Sequence, residues 1–169
     1  MYNFPFVKIS LLIHTLTPFY VFIAFAGTVV VVLLSYGRRY DAYIFGVAFV
    51  VTAGVVVVLK HLCAVPRPTD ALITLADYAF PSAHATFSAF FATNIGWLYI
   101  KNRSLSNCKI TGIYILLSIP AVIVGLSRLS IKVHTPFQVV VGFSIGVIVP
   151  LLVILLAQKY SNYCQECKN

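Results

Sequence analysis

Five long apolar runs separated by short polar gaps make up most of this chain. The first, Phe19–Ser35, has about the 17 residues that a helix needs at minimum to cross a bilayer. Runs at 42–59, 83–100, 110–126 and 136–157 predict four more spanning helices. Ahead of them, residues 1–17 carry one charge, Lys8, and predict an interfacial or partly inserted segment. The expected fold is all-α: a membrane bundle of about five spanning helices plus that N-terminal segment, in one domain over residues 1–169. Ala24-Phe25-Ala26 has the form of a signal-peptide cleavage site. The apolar run continues past it, so cleavage there would bisect a hydrophobic stretch, and none is expected. Gly37 to Asp41 reads as a turn, with Asp41 as N-cap of the second spanning helix. Gly142-x-x-x-Gly146 in the last run predicts close approach of another helix. Pro120 and Pro150 fall inside runs, where neighbouring helices can satisfy the freed backbone groups.

Composition supports a bilayer as the natural solvent. Only 9% of residues are charged, against roughly a quarter in soluble domains, and mean hydropathy is +0.96. The net charge of +8 could suggest a nucleic-acid partner. Here the cations occupy the gaps between apolar runs rather than a continuous face, which is the mark of membrane topology. No nucleic-acid partner is expected. Because loops alternate sides, Arg38-Arg39, the 101–109 loop and the 159–168 tail share one face, which the positive-inside rule makes cytoplasmic. Segments 60–82 and 127–135 then lie together on the opposite face. Asn102-Arg103-Ser104 matches a glycosylation acceptor but falls on the cytoplasmic side and is discounted. The acids are Asp41, Asp70, Asp77 and Glu166, too few for the carboxylate cluster of a magnesium or two-metal site, so no metal or cofactor is expected. Cys63, Cys108, Cys164 and Cys167 do not form a disulfide framework in a chain with so little extramembrane length. Cys164 and Cys167, a Cys-x-x-Cys, lack the further ligands of a zinc site and are read as reduced thiols.

Candidate chemistry lies on the outer face. Ser127 to Gln138 places Arg128, Lys132 and His134 between two apolar runs, and ionisable groups there mark a functional site. Three patterns follow in order: Lys60, six residues, Arg67-Pro68; Pro81-Ser82-Ala83-His84; and Ser127-Arg128, five residues, His134. Lys60, Arg67 and Arg128 suit a phosphate group, which carries about −1.5 to −2 charge and three acceptor oxygens. Ser82 and Thr135 are N-cap types at the starts of the third and fifth predicted spans, where free N–H groups favour an anion. Lys132 reads as snorkelling at the interface, His14 and His61 as interfacial residues, and Tyr78 and Phe80 as loop anchors. Asp70 and Asp77 read as solvated loop charges or as partners of the local cations.

In spacing and order these motifs resemble the type 2 phosphatidic acid phosphatases, integral-membrane lipid phosphatases that share a site with vanadium haloperoxidases. The resemblance covers 60–138 by motif and implies a six-span bundle, one more than the runs predict. It implies His134 as nucleophile forming a phosphohistidine, and His84 as acid for the leaving group and then base for water. Lys60, Arg67, Ser82 and Arg128 would hold the phosphate oxygens, with no metal. Two positions depart from the pattern. Ala83 replaces a glycine. Gln138 replaces the aspartate four residues after the nucleophile, which would leave His134 a weaker base. Gln138 also fits a capping box with Thr135 and Pro136, a role compatible with orienting the histidine. Asp70 or Asp77 could supply the missing carboxylate.

The expected activity is phosphate removal from a lipid phosphate or diphosphate at the outer side of a bacterial cytoplasmic membrane. Undecaprenyl diphosphate comes first, since its phosphate leaving group suits a weakened histidine. Phosphatidylglycerophosphate and lipid A phosphates are alternatives. A lipid phosphotransferase using the same site, or an inactive lipid-phosphate binder, are the rival readings.

Overall fold

The computed structural model describes residues 5–16, 19–101 and 103–166. These form six helices: α1 (Pro5–Leu16), α2 (Phe19–Ser35), α3 (Arg39–Cys63), α4 (Ala83–Ile100), α5 (Asn107–Ser130) and α6 (Pro136–Glu166). No strand occurs among the described residues. Each of the five apolar runs is a helix, and the fold is an all-α membrane bundle. α2 and α4 match the predicted bounds, whereas α3, α5 and α6 outrun theirs. An apolar run marks only the part of a helix that lipid or core must cover. The ends continue in polar residues, with Lys60 and His61 in the last turn of α3 and Arg128 in the last turn of α5. Cations are favoured there by the helix dipole.

Asp41 is not the N-cap of α3. Arg38 holds that position, and Asp41 lies inside the first turn. Its buried carboxylate accepts a hydrogen bond from Arg38 Nε at 2.6 Å and pairs with Lys101, so it ties α3 to the end of α4. The N-terminal segment is a helix, α1, of 12 residues that packs on α5. At about 1.5 Å per residue it is too short to cross a bilayer alone. Cys167 lies outside the described residues, as does the side chain of Cys164. The same holds for the side chain of His14.

Among the described residues, three helices are long and apolar enough to cross a membrane, at Arg39–Cys63, Asn107–Ser130 and Pro136–Tyr163, and Val21–Ser35 is a shorter apolar one. α4 is not among them, for a physical reason. It is the central helix, packed on α6, α5 and α3, and it buries Thr86, Thr93 and Asn94 along with its phenylalanines. Neighbours shield it from lipid, so its composition need not match that of lipid. Phe87, Phe90 and Phe91 meet Phe22, Phe45 and Phe49 in a continuous aromatic cluster joining α2, α3 and α4. On the other side α4 lies directly against α6. A Cβ at Gly146 would collide with the Thr86 carbonyl oxygen, and one at Gly142 would stand 2.7 Å from that of Ser82. The small-residue pair therefore does what its spacing predicts.

Candidate active site

At one end of the bundle, the α3–α4 loop and the α5–α6 turn interlock. The Ala64 N–H bonds the Lys60 carbonyl at 3.0 Å and, with Ala64 in the left-handed region (φ 43), ends α3 just past Lys60. The loop then folds on itself through Ala79 N–H to Val65 O (2.9 Å) and reaches across through Leu72 N–H to Ile131 O (3.0 Å). At the start of α4, the Ser82 N–H bonds the Gln138 carbonyl of α6 at 3.2 Å. The stacked rings of Phe80 and Phe137, 6.0 Å apart, cover this junction.

His134 sits in the turn before α6 and is buried. Its Nδ1 lies 3.2 Å from Gln138 Oε1, which also accepts the Thr135 N–H at 3.0 Å. The Gln138 N–H in turn donates to Thr135 Oγ1 at 3.4 Å, completing a reciprocal capping box. These bonds fix the tautomer. A backbone N–H can only donate, so the Gln138 atom facing Thr135 is the oxygen. The His134 nitrogen sharing that oxygen must then carry the proton. Nε2 is left with its lone pair, 3.4 Å from Arg67 Nη1. Burial pushes the His134 pKa down, the Arg67 charge adds to that, and the bond to Gln138 only partly opposes it. The result is about 4, so the imidazole is neutral.

The cations beside it are held largely by backbone. Arg67 Nη1 donates to Val133 O at 3.1 Å and Nε to Asp77 O at 3.1 Å, while Lys60 Nζ donates to Tyr78 O. The Asp77 carboxylate bridges the pair, 2.8 Å from Lys60 Nζ and also bonded to Arg67 Nη2. Partial burial opposes ionisation of Asp77, but the bonds from Lys60 and Arg67 outweigh it and hold the carboxyl below its ordinary range. Ser82 Oγ is fully buried and finds no hydrogen-bond partner among the described residues, at the N-cap position of α4. Arg128 is buried in the last turn of α5, its Nε donating to Ser127 Oγ at 3.1 Å.

Contacts thus join Lys60, Arg67, His134 and Gln138, and the backbone bond from Ser82 to Gln138 brings α4 to the same junction. His84 and Arg128 enter through their elements: His84 in the first turn of α4, edge-on to Phe22 at 5.7 Å, and Arg128 in the turn of α5 that precedes His134. Lys132 does not merely snorkel. It pairs with Asp70 at 2.7 Å, because the reach of the α3–α4 loop brings a carboxylate over the α5–α6 turn. Asp77 was legible only as a partner of local cations. Its bridging place depends on the loop's fold, as do the carbonyls of Asp77, Tyr78 and Val133, which no side-chain pattern reveals. Neither Asp70 nor Asp77 takes the Nδ1 side of His134, which Gln138 occupies.

A sequence profile of the PAP2 superfamily matches residues 41–161. Phosphatidylglycerophosphatase B of Bacillus subtilis (strain 168) is 30% identical over 110 residues, or 64% of this chain and 54% of that protein. The chain therefore spans about half the length of that curated relative. In fold it is similar to the crystal structure of a transmembrane PAP2-type phosphatidylglycerolphosphate phosphatase from Bacillus subtilis. The TM-score is 0.79 at 24% identity, covering 94% of this chain and 80% of that one.

Proposed function

This chain belongs to the PAP2 superfamily, and we propose that it is a lipid phosphatase that works through a phosphohistidine on His134. The observation that carries the reading is the oriented imidazole, with Nδ1–H on Gln138 Oε1 and the Nε2 lone pair facing Arg67 Nη1, a long 3.4 Å contact that an entering phosphate can replace. A buried, neutral, oriented imidazole next to a cation is what in-line attack on a phosphate requires.

In this mechanism Lys60, Arg67, Arg128 and Ser82 Oγ take the equatorial oxygens and stabilise the charge redistributed in the transition state. Nε2 forms a bond to phosphorus as the bond from phosphorus to the lipid oxygen breaks. His84 gives its proton to the departing oxygen. It then takes a proton from water as that water attacks phosphorus, and the P–N electron pair returns to Nε2. Inorganic phosphate and the dephosphorylated lipid are the products, and no step calls for a metal.

The first substrate is a phospholipid phosphomonoester of the phosphatidylglycerophosphate type, supported by the name of the curated relative. A diphosphate such as undecaprenyl diphosphate is the second, favoured by one observation. Gln138 gives His134 a hydrogen bond without a charge, and phosphate leaves more readily than an alkoxide. The basic loops support an extracytoplasmic site in a bacterial cytoplasmic membrane. Purified protein assayed for released phosphate against both lipids, with His134→Ala as control, tests the reading. Release from at least one lipid, abolished in the variant, is expected. No release from any lipid phosphate, with binding retained, would instead indicate a lipid-phosphate binder.

A further inference from the structure

Two of the cations assigned to the substrate phosphate are already engaged by an anion of the protein's own. Asp77 bridges Lys60 and Arg67, yet the three side chains differ sharply in exposure: those of Lys60 and Arg67 are 11% accessible, that of Asp77 is 55%. The two cations are fixed in the wall of the site, and the carboxylate approaches them from solvent.

Neither cation depends on that carboxylate for its position. Arg67 is held by the carbonyls of Val133 and Asp77, and Lys60 by the carbonyl of Tyr78. Nor does the loop depend on it. The loop is fastened independently by Ala79 to Val65, Leu72 to Ile131, and the ion pair of Asp70 with Lys132. The Asp77 side chain can therefore rotate into water while the backbone and both cations stay where they are.

We propose that the Asp77 carboxylate is a displaceable stand-in for the substrate phosphate, neutralising Lys60 and Arg67 while the site is empty and yielding them when a phosphate enters. This inference rests on the reading of the junction as a phosphate site. Without such an anion, two largely buried cations would face each other unscreened. With it, an incoming phosphate exchanges ion pairs rather than creating them, and after reaction the carboxylate competes with the product for the same N–H groups. Asp77 thereby weakens ground-state binding and speeds phosphate release. It acts through Lys60 and Arg67 and touches no reacting atom.

The test compares inorganic phosphate as ligand for the wild-type chain and for Asp77→Asn in detergent micelles, by competitive inhibition and by thermal stability. The amide keeps the shape and loses the charge. Asp77→Asn should bind phosphate more tightly, by about two- to fivefold, the range for an exposed ion pair. KM should fall and kcat should not rise. The variant should be less stable than wild type in phosphate-free buffer, with the gap closing as phosphate is added. A carboxylate that only positions the cations gives the opposite signs: weaker phosphate inhibition and a gap that phosphate does not close. Either result overturns the proposal. Asp77→Ser is read in the same way, and failure of both variants to fold would make the carboxylate structural and also overturn it. If wild-type protein shows neither inhibition nor stabilisation by phosphate, the phosphate-site reading itself fails, a distinct outcome.

Discussion

Gln138 uses one oxygen for two purposes, accepting from the Thr135 N–H and from His134 Nδ1. Capping the helix and orienting the histidine are thus a single arrangement, and substitutions at this position separate charge from geometry. Gln138→Glu keeps the side-chain length and both bonds and adds a carboxylate. A unit charge about 4 Å away at an effective dielectric of 20 is worth up to about 4 kcal/mol before desolvation. Turnover of a phosphomonoester should rise, with less gain on a diphosphate. Gln138→Asp gains the charge but is one methylene shorter, so turnover equal to or above the native level is expected. Gln138→Ala frees the tautomer and removes one half of the capping box, the bond from the Thr135 N–H, while Thr135 Oγ1 still accepts the N–H of residue 138. Turnover should fall by of the order of a hundredfold, and stability by about 1 kcal/mol. A sharp loss in Gln138→Glu with the fold intact would mean that the amide N–H groups, not the oxygen, matter. The pH dependence follows from the same residue. The folded pKa of His134, about 4, lies below its ordinary 6.5. The unfolded chain therefore binds a proton that the folded chain refuses between those values. Its contribution to stability is complete above about pH 6.5 and is lost as pH falls toward about 4. Across that window the thermal stability of wild type should fall with acid more steeply than that of His134→Ala, which lacks the titrating group.

The helices were legible because lipid enforces long apolar runs, and the motif residues because their spacing is fixed. What could not be read was which helix sits in the middle. The sequence of α4 looks like the poorest span, yet it is the one that the others enclose. Asp41 departs from the N-cap pattern for a related reason. An acid at a helix start suggests a cap, but its real partner, Lys101, is distant in sequence. The α4–α6 contact gives a prediction at this scale. Gly146→Ala forces a methyl against the Thr86 carbonyl, in the middle of the contact, and should cost about 1–3 kcal/mol of stability, read by thermal denaturation. Gly142→Ala presses on the Ser82 carbonyl instead, at the junction with the site. It should lower kcat/KM by more than its effect on stability explains. Equal effects of the two variants on both readouts would contradict the placement of Ser82.

Across the whole molecule, charge is sorted to two ends. Asp41 with Arg38 and Lys101 closes one, while Asp77 with Lys60 and Arg67, and Asp70 with Lys132, lie at the other. Each of these three acids is paired with a cation, and the mechanism uses none of them to hold a metal. Phosphate release should survive strong chelation; loss restored by magnesium would count against the mechanism. Orientation can be read from two exposed cysteines, Cys63 at the site end of α3 and Cys108 at the start of α5. An impermeant thiol reagent on intact cells should label Cys63 and spare Cys108, and the reverse pattern would turn the site to the cytoplasm. The covalent bond from His134 Nε2 to phosphorus can be trapped directly. Protein quenched during turnover of a lipid labelled in its terminal phosphate should carry label that is stable to base, labile to acid, and located on the peptide containing His134. The label should be absent from His134→Ala. Rapid turnover with no labelled protein at any quench time, or label on another residue, would rule out His134 as the nucleophile.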